Sequence, residues 1–219
     1  MGFNIAVDGP AGAGKSTIAK IVARKLNFIY VDTGAMYRAL ALYLIRNGIG
    51  AEDWEKIEEK CEEAEIAIRY ENGEQVVLLN GENVNGLIRT EEVGSMASSS
   101  SANPHVREKM VKLQQQLAEK ENVVMDGRDI CIHVLPGAEV KVFLTASVEV
   151  RAKRRFDELT AKGVFCDLKE IEKDMAERDY RDMHRKHSPL QKAEDAVLID
   201  SSDMSIEEVA DAIIALCNF

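Results

Sequence analysis

A glycine-rich segment near the start of the chain, GPAGAGKS at residues 9–16, limits the possible folds more than any other stretch. It fits the spacing GxxxxGK followed by Ser or Thr, and it stands between an apolar run and a stretch with helical spacing of apolar residues. Glycine lets the backbone turn its N–H groups around an anion, and the helix that follows adds the positive end of its dipole. The segment therefore predicts a phosphate-binding loop between a strand and a helix. The alternative is a glycine-rich turn with a solvated lysine.

Short apolar runs that predict buried strands recur along the chain, at residues 3–8, 28–32, 122–127, 140–147 and 196–200. Segments with helical spacing follow three of them. Strands that are apolar on both faces and alternate with helices form a parallel sheet covered on both sides. The predicted fold class is therefore α/β, with a five-stranded parallel sheet whose ligands bind at the carboxyl ends of the strands.

One segment departs from this alternation, IAIRYENGEQVVLLNGENV at residues 66–84. Its two or three short alternating strands are joined by Asn72-Gly73 and Asn80-Gly81, pairs that strongly favour tight hairpins. We predict a small antiparallel insert at residues 63–89, carried by a core of residues 1–62 and 90–219. Because no Pro/Ser-rich linker flanks it, the insert is expected to pack on the core.

Composition excludes several classes of protein. A net charge of −10 in 219 residues argues against a broad surface for nucleic acid or membrane, since both require positive charge. No apolar run approaches the roughly 18 residues of a membrane span, and no signal-peptide pattern opens the chain, so a cytoplasmic protein is expected. The four cysteines are far apart without a CxxC pair, which predicts reduced and mostly buried thiols rather than zinc or disulfides.

The chemistry of the phosphate loop centres on two side chains. Lys15, expected to be an exposed loop lysine, would reach the β and γ phosphates of a nucleoside triphosphate, and the Ser16 hydroxyl would hold Mg²⁺. Two further strand ends carry charge, in DTGAMYR with Arg38 and in MDGRD with Asp126, Arg128 and Asp129. A surface arginine and an ordinary charged turn are the alternatives for these two segments.

Two arginine-rich stretches predict helix faces. RAKRRF carries arginines at spacings of three and four, and ERDYRDMHR repeats the pattern over two turns. The residues that would share these faces are Arg151, Arg154 and Arg155 in the first, and Arg178, Arg181, Asp182 and Arg185 in the second. Such runs often form solvated faces. In an acidic chain that binds a triphosphate, mobile helices with clustered arginines are also suited to clamp a transferring phosphoryl group.

The matching segments together resemble those of the bacterial cytidylate kinases. The blocks are GPAGAGKST, DTGAMYRALA, IRTEEV through VRE, DGRD, KVFLTAS, RAKRR with KG, and ERDYRD through SPL. The insert at residues 63–89 resembles the monophosphate-binding insert of the long bacterial form, which implies that it binds CMP. The resemblance implies a P-loop NTPase fold with an arginine-rich helical lid at about residues 148–168. It also implies a monomeric, Mg²⁺-dependent enzyme that transfers the γ-phosphoryl group of ATP to CMP or dCMP.

The resemblance also implies roles for individual residues. The ATP phosphates would lie on Gly9, Pro10, Ala11, Gly12, Ala13, Gly14, Lys15, Ser16 and Thr17. Arg38, Arg128 and Arg185 would bind the CMP phosphate, Arg178 and Asp182 the sugar, and Thr33, Ser98, Arg107 and Asp129 the cytosine. Catalytic roles would fall to Lys15, Arg128, Arg151, Arg154 and Arg155.

Two positions depart from the family pattern. Thr33 stands where many members have serine, and Cys131-Ile132 follows GRDI where Gly-Thr is common, so the local loop is expected to differ. A P-loop kinase for another acceptor, such as UMP, AMP or shikimate, is the alternative activity. A GTP-driven switch is a second alternative, disfavoured because the chain has no NKxD or TKxD motif.

Overall fold

The apolar runs form the strands of two sheets in the computed structural model, which describes residues 2–71 and 73–218. The strands are β1 (Asn4–Asp8), β2 (Ile29–Asp32), β3 (Ile66–Glu71), β4 (Glu74–Leu79), β5 (Glu82–Asn83), β6 (Val123–Gly127), β7 (Val140–Thr145) and β8 (Val197–Asp200). The helices are α1 (Lys15–Leu26), α2 (Thr33–Arg46), α3 (Trp54–Glu63), α4 (Glu91–Ser100), α5 (Pro104–Lys120), α6 (Val148–Ala161), α7 (Leu168–His184) and α8 (Ile206–Ile214). One turn of π-helix spans Ile130–Val134.

The main sheet is parallel throughout, in the order β2-β6-β1-β7-β8. The α/β prediction with five parallel strands is confirmed. In this register Asp8 lies beside Gly127, and Asp32 lies beside Asp126. The carboxylates of Asp8, Asp32 and Asp126 therefore lie together at the carboxyl ends of the parallel strands.

Helices cover both faces of this sheet because alternate residues of each strand point to opposite sides. On one face, Ile5 and Val7 of β1 pack against α1 and α8, and on the other Ala6 packs with Met125 and α5. Ile5, Ala6 and Val7 have no exposed surface. Burying one such aliphatic side chain contributes about 1.5–3 kcal/mol, so the two clusters hold the sheet edge in place.

The insert forms the antiparallel sheet β3-β4-β5. Asn80 and Gly81 both have positive φ, 49° and 82°, as the predicted tight turn requires. Asn72 of the other predicted turn lies outside the described residues. Ile66 and Leu79, which face each other across β3 and β4, join the apolar cluster around α2. The insert therefore packs on the core as expected, while the division into domains stays a prediction.

The cysteines are free thiols within the described residues, as predicted. Cys61 and Cys131 are buried, whereas Cys166 and Cys217 are partly exposed, so the expectation of mostly buried thiols holds for two of the four. Within residues 2–71 and 73–218, no helix has both the length and the apolar character that crossing a membrane requires.

Gly9 directly follows β1 and packs closely against the backbone of the neighbouring strand β7. A Cβ atom at this position would stand 1.9 Å from the Leu144 carbonyl oxygen, and φ is +150°. We expect Gly9→Ala to destabilise the protein by about 2–4 kcal/mol because the backbone of β7 has to move. Thermal unfolding measures the loss. The control is Gly94→Ala in α4, where a Cβ meets nothing within 4 Å, and equal melting temperatures for the two variants would contradict the prediction.

Candidate active site

The loop between β1 and α1 has the geometry of an anion-binding turn. Gly12 and Gly14 have φ values of 76° and 84°, which residues with a side chain rarely adopt. No side chain caps α1, and among the described residues the N–H groups of Lys15, Ser16 and Thr17 donate to no protein acceptor. These donors and the helix dipole therefore favour a phosphate at this position. The predicted ATP residues form this loop and the first turn of α1.

Lys15 is buried, with 5% of its surface exposed, so the expectation of an exposed loop lysine was wrong. The side chain lies under the loop, and its Nζ donates a hydrogen bond of 2.7 Å to the Pro10 carbonyl. Burial, and after it the charge of Arg128, lower the pKa of Lys15. An anion beside the ammonium would relieve both effects, so the position suits the phosphates of a nucleotide.

Asp126, at the end of β6, connects the loop to the second half of the site. Its carboxylate accepts hydrogen bonds from the Ser16 hydroxyl at 3.0 Å and from the Tyr30 hydroxyl at 2.8 Å. Its carbonyl accepts one from the Thr33 hydroxyl at 2.7 Å. Burial, followed by the neighbouring Asp32, raises the pKa of Asp126. The sequence placed Asp126 at the end of a strand but indicated no role for it. Its hydrogen bond with Ser16 joins residues far apart in the chain, so the local sequence does not show it.

The oxygen atoms of Ser16 and Asp126 fit a Mg²⁺ ion that a triphosphate brings with it. Magnesium prefers hard oxygen ligands and usually takes one or two carboxylates, with substrate phosphates and water completing the octahedron. Within the described residues no group of three His, Cys, Asp or Glu side chains forms a cage for a metal ion. A paired hydroxyl and carboxylate next to a phosphate loop therefore suit the predicted ion.

Four arginines surround the far side of the cleft. Arg38 lies on α2, Arg128 follows β6, Arg178 lies on α7, and Arg185 lies just beyond its end. Burial is the main cause of a lowered pKa at Arg38, Arg178 and Arg185, and the charges of nearby arginines lower each pKa further. Together these effects bring the pKa of Arg178 to about 10. Among the described residues, Nε of Arg178 and Nη2 of Arg185 are buried without a hydrogen-bond partner. The cluster therefore carries more positive charge than the protein itself balances.

Asp182 partly balances this charge. It accepts a hydrogen bond of 3.0 Å from Nε of Arg128. Burial opposes its ionisation, yet Arg128 and Arg178 hold its pKa below the usual value. The carboxylate thus fixes Arg128 without neutralising the whole cluster. Arg181, expected on the same helix face, is exposed, and its charge contributes to the lowered pKa of Arg178.

A second polar pocket joins Arg107 and Asp129. The two side chains form a buried ion pair, and Arg107 also donates to the Ser101 carbonyl at 3.2 Å. Its guanidinium lies over the ring of Tyr37, 5.7 Å from the centroid, while its Nε is buried and without a partner in the described part of the chain. The structure records no contact of the Ser98 hydroxyl with this pair. The pocket can present a donor and an acceptor to a flat polar ring.

The three arginines of α6 have different partners and do not form one common binding surface. Arg151 is 4% exposed and tied to the core, pairing with Asp179 at 2.6 Å and donating to the Ala11 carbonyl at 2.8 Å. Arg154 donates to the Ser201 carbonyl at 2.6 Å. Asp179 was not singled out from the sequence, because nothing local indicates that a distant arginine reaches it.

Arg155 differs from these two arginines. It is exposed and forms an ion pair with Glu158 at 2.8 Å on its own helix. It lies close enough to Arg38 for its charge to contribute to the lowered pKa of that residue. Arg155 is therefore free to turn toward an anion bound in the cleft.

The segment after Asp129 is held by Asp8. The carboxylate of Asp8 accepts hydrogen bonds from the N–H groups of Ile130 at 2.9 Å and Cys131 at 2.8 Å. Burial is the main cause of a raised pKa at Asp8. The Cys131-Ile132 departure thus stands in one turn of π-helix, fixed through its backbone to the strand that begins the phosphate loop.

A phosphate loop on a parallel sheet, with an arginine-lined cleft at the same sheet edge, defines a P-loop kinase. Residues 5–218 match the family described as cytidylate kinase. The cytidylate kinase of Caldicellulosiruptor bescii is 51% identical over 214 residues, which are 98% of this chain and 95% of that protein. That of Bacillus subtilis is 50% identical over 212 residues, 97% of this chain and 95% of the relative. The chain therefore belongs to the cytidylate kinase family, and the predicted activity of an ATP-dependent CMP kinase is confirmed at the level of the family.

A likeness among solved structures extends to the fold alone. An uncharacterized protein from Eubacterium ventriosum superimposes with a TM-score of 0.50 at 17% identity, covering 98% of this chain and 97% of that one. Sequence identity this low says nothing about the acceptor.

Proposed function

We propose that this chain transfers the γ-phosphoryl group of ATP to CMP or dCMP with the site residues described above. The observation that carries the proposal is the cluster of buried arginines beside the phosphate loop. Arg178 and Arg185 retain unpaired buried N–H groups, and burial and mutual repulsion both favour an anion among them. The phosphate of a nucleoside monophosphate supplies that anion.

The proposed roles follow the position of each residue. The loop from Gly9 to Thr17 holds the ATP phosphates, and Ser16 with Asp126 holds Mg²⁺. The CMP phosphate binds Arg38, Arg128 and Arg185, the sugar binds Arg178 and Asp182, and the base binds Arg107 and Asp129 with Thr33 and Ser98 nearby. The Thr33 hydroxyl already donates to Asp126, so the assignment leaves it only an acceptor role toward the base.

The reaction requires no covalent intermediate on the protein. An oxygen of the CMP phosphate attacks the γ-phosphorus in line, the bond to the bridging oxygen breaks, and ADP leaves with that electron pair. Lys15 and the cleft arginines stabilise the charge that spreads over the equatorial oxygens. A Mg²⁺ ion held by Ser16 and Asp126 would supply further positive charge to the phosphates. The residues contribute mainly position and charge.

The proposal includes two units that close over the substrates, the lid at residues 148–168 and the insert at residues 63–89. Closure would exclude water, which otherwise competes with CMP for the γ-phosphoryl group. We also propose that the enzyme works as a cytoplasmic monomer without a nucleic-acid or membrane partner, which its net charge of −10 supports.

A substrate screen tests the proposal. ADP release is measured with ATP, Mg²⁺ and each of CMP, dCMP, UMP, AMP and shikimate, and with no acceptor as the control. We expect CMP and dCMP to be turned over far faster than the other three. Equal rates with and without CMP, or a clear preference for another acceptor, would contradict the proposed function.

Arg155→Ala is expected to lower kcat and kcat/KM for CMP together by about 10²-fold, with little change in CMP affinity. Within the part of the chain that the structure describes, Arg155 makes only a surface ion pair, so its charge is available when the lid closes. Steady-state kinetics and CMP titration measure the two quantities. Lys153→Ala, also an exposed cation of α6, is the control and should turn over normally. A variant that raises only the KM for CMP would place Arg155 in substrate binding instead.

A further inference from the structure

Strand β2 is an edge strand of the main sheet, and side chains of the insert cover its open edge. Tyr30 and Asp32 are two residues apart, so their backbone groups point to the same side of the strand. The Tyr70 hydroxyl donates to the Tyr30 carbonyl at 3.0 Å. The Gln75 side chain accepts from the Asp32 N–H at 2.8 Å and donates to the Asp32 carbonyl at 3.3 Å. Side chains here replace the backbone of a further strand.

The two covering residues are direct neighbours in the insert. Tyr70 on β3 and Gln75 on β4 face each other in the antiparallel register, and we refer to them as the edge pair. Asn85 fixes Gln75 by donating to its carbonyl at 2.8 Å and accepting from the Val77 N–H at 2.9 Å. The backbone of the edge pair is thus tied into the hairpin by the β3–β4 register and, at Gln75, by Asn85.

The residues beneath the edge pair reach the phosphate site. The Tyr30 hydroxyl donates to Asp126 at 2.8 Å, and Asp126 accepts the Ser16 hydroxyl at 3.0 Å. Asp32 caps α2, the helix of Thr33 and Arg38, by accepting from the Ala35 N–H at 2.9 Å. The backbone of Tyr30 and Asp32 therefore binds the insert, while the side chains of the same two residues bind Asp126, the partner of Ser16, and the start of α2.

Side chains do not pack tightly where the insert meets β2. A cavity of about 150 Å³ lies between α1, β2 and β4, with Lys20, Tyr30 and Gln75 among its lining residues. Because side chains do not fill the space, the hydrogen bonds of the edge pair and the ion pair of Arg89 with Asp32 at 2.6 Å set the distance between the insert and β2. The nearby ion pair of Lys20 and Glu74, 3.6 Å long and exposed, is screened by solvent and contributes little.

We propose that Tyr70 and Gln75 are positioning residues for phosphoryl transfer, which align the Ser16–Asp126 pair and the start of α2 when the insert is seated on β2. The inference rests on the proposed function and adds a role for two residues that touch neither substrate. It explains how an insert that closes over the substrates can influence the geometry around the donor phosphates.

The test compares Gln75→Leu, Tyr70→Phe and the double variant with Glu74→Gln, a control on the same strand that removes only the exposed ion pair. Amide hydrogen exchange at Asp32, followed by NMR, reports the edge contact, and steady-state kinetics report alignment. We expect faster exchange in Gln75→Leu and a kcat about tenfold lower in the double variant. The KM for CMP should stay within about threefold, because the pair aligns the site and does not bind CMP.

The outcomes separate the inference from the proposed function. Unchanged exchange at Asp32 in Gln75→Leu, or faster exchange with an unchanged kcat in the double variant, would overturn the positioning role while wild-type turnover of CMP stands. An equal loss of kcat in Glu74→Gln would overturn it as well. Wild-type protein that fails to phosphorylate CMP would instead contradict the proposed function. Melting temperatures of all variants show whether the compared proteins are folded at the assay temperature.

Discussion

Lys15→Ala is expected to lower kcat by about 10³-fold while the protein remains folded. The ammonium is buried beneath the phosphate loop, where low dielectric strengthens its attraction for charge that develops on the transferring group. Among the described residues its hydrogen-bond partner is the Pro10 carbonyl alone, so little of the fold depends on it. Steady-state rates and thermal unfolding measure the two effects.

The matched control is Lys20→Ala, a lysine on the same helix that is exposed and forms a long ion pair with Glu74. It should retain near-normal turnover. Turnover of a folded Lys15→Ala protein at the wild-type rate would contradict the assignment of the phosphate loop. A large drop in melting temperature for Lys15→Ala would show that the buried ammonium has a structural role as well.

Asp129→Asn is expected to reduce the preference for CMP over UMP by about 10²-fold. Cytosine presents an amino donor at C4 beside an acceptor at N3, whereas uracil presents an acceptor at C4 and a donor at N3. A carboxylate accepts from the cytosine amino group and opposes the uracil oxygen, while an amide can rotate to offer either polarity. Sites that rely on buried hydrogen bonds discriminate strongly because the wrong base leaves polar groups unpaired.

The ion pair of Asp129 with Arg107 adds a stability cost that the measurement has to separate. Removing one charge of a buried pair costs about 3–5 kcal/mol, so the variant is expected to melt at a lower temperature. The ratio of kcat/KM for the two bases is insensitive to the fraction of folded protein. Asp179→Asn breaks the comparable buried pair with Arg151 and should keep the wild-type ratio. An unchanged ratio in Asp129→Asn would show that this carboxylate does not read the base.

Local features of the sequence were enough to predict the architecture. The glycines at positions 12 and 14 adopt the positive φ that a phosphate loop needs, and runs apolar on both faces became parallel strands. The Asn80-Gly81 turn was predictable because two adjacent residues define it. These features depend on residues that are neighbours in the chain, so the sequence is enough to predict them.

The roles of individual residues did not follow from local sequence features in the same way. The positions of Arg38, Arg128 and Asp129 at or near strand ends followed from the pattern, but their assignment to phosphate or base came from the family resemblance and stays a prediction. The seven-residue spacing from Arg178 to Arg185 indicated one helix face, yet α7 ends at His184 and Arg185 lies beyond it. Helix ends depend on capping and packing, which spacing alone does not show.

Sequence by itself determined a P-loop on a parallel sheet, a hairpin insert and the clustering of charged residues at strand ends. Tertiary structure decided that Lys15 is buried, that Arg151 is fixed by Asp179, and that Gln75 covers the edge of β2. Each of these depends on side chains from separate elements that meet only after folding. Burial and partner together set whether a charge is held or free, and neither is a property of the local sequence.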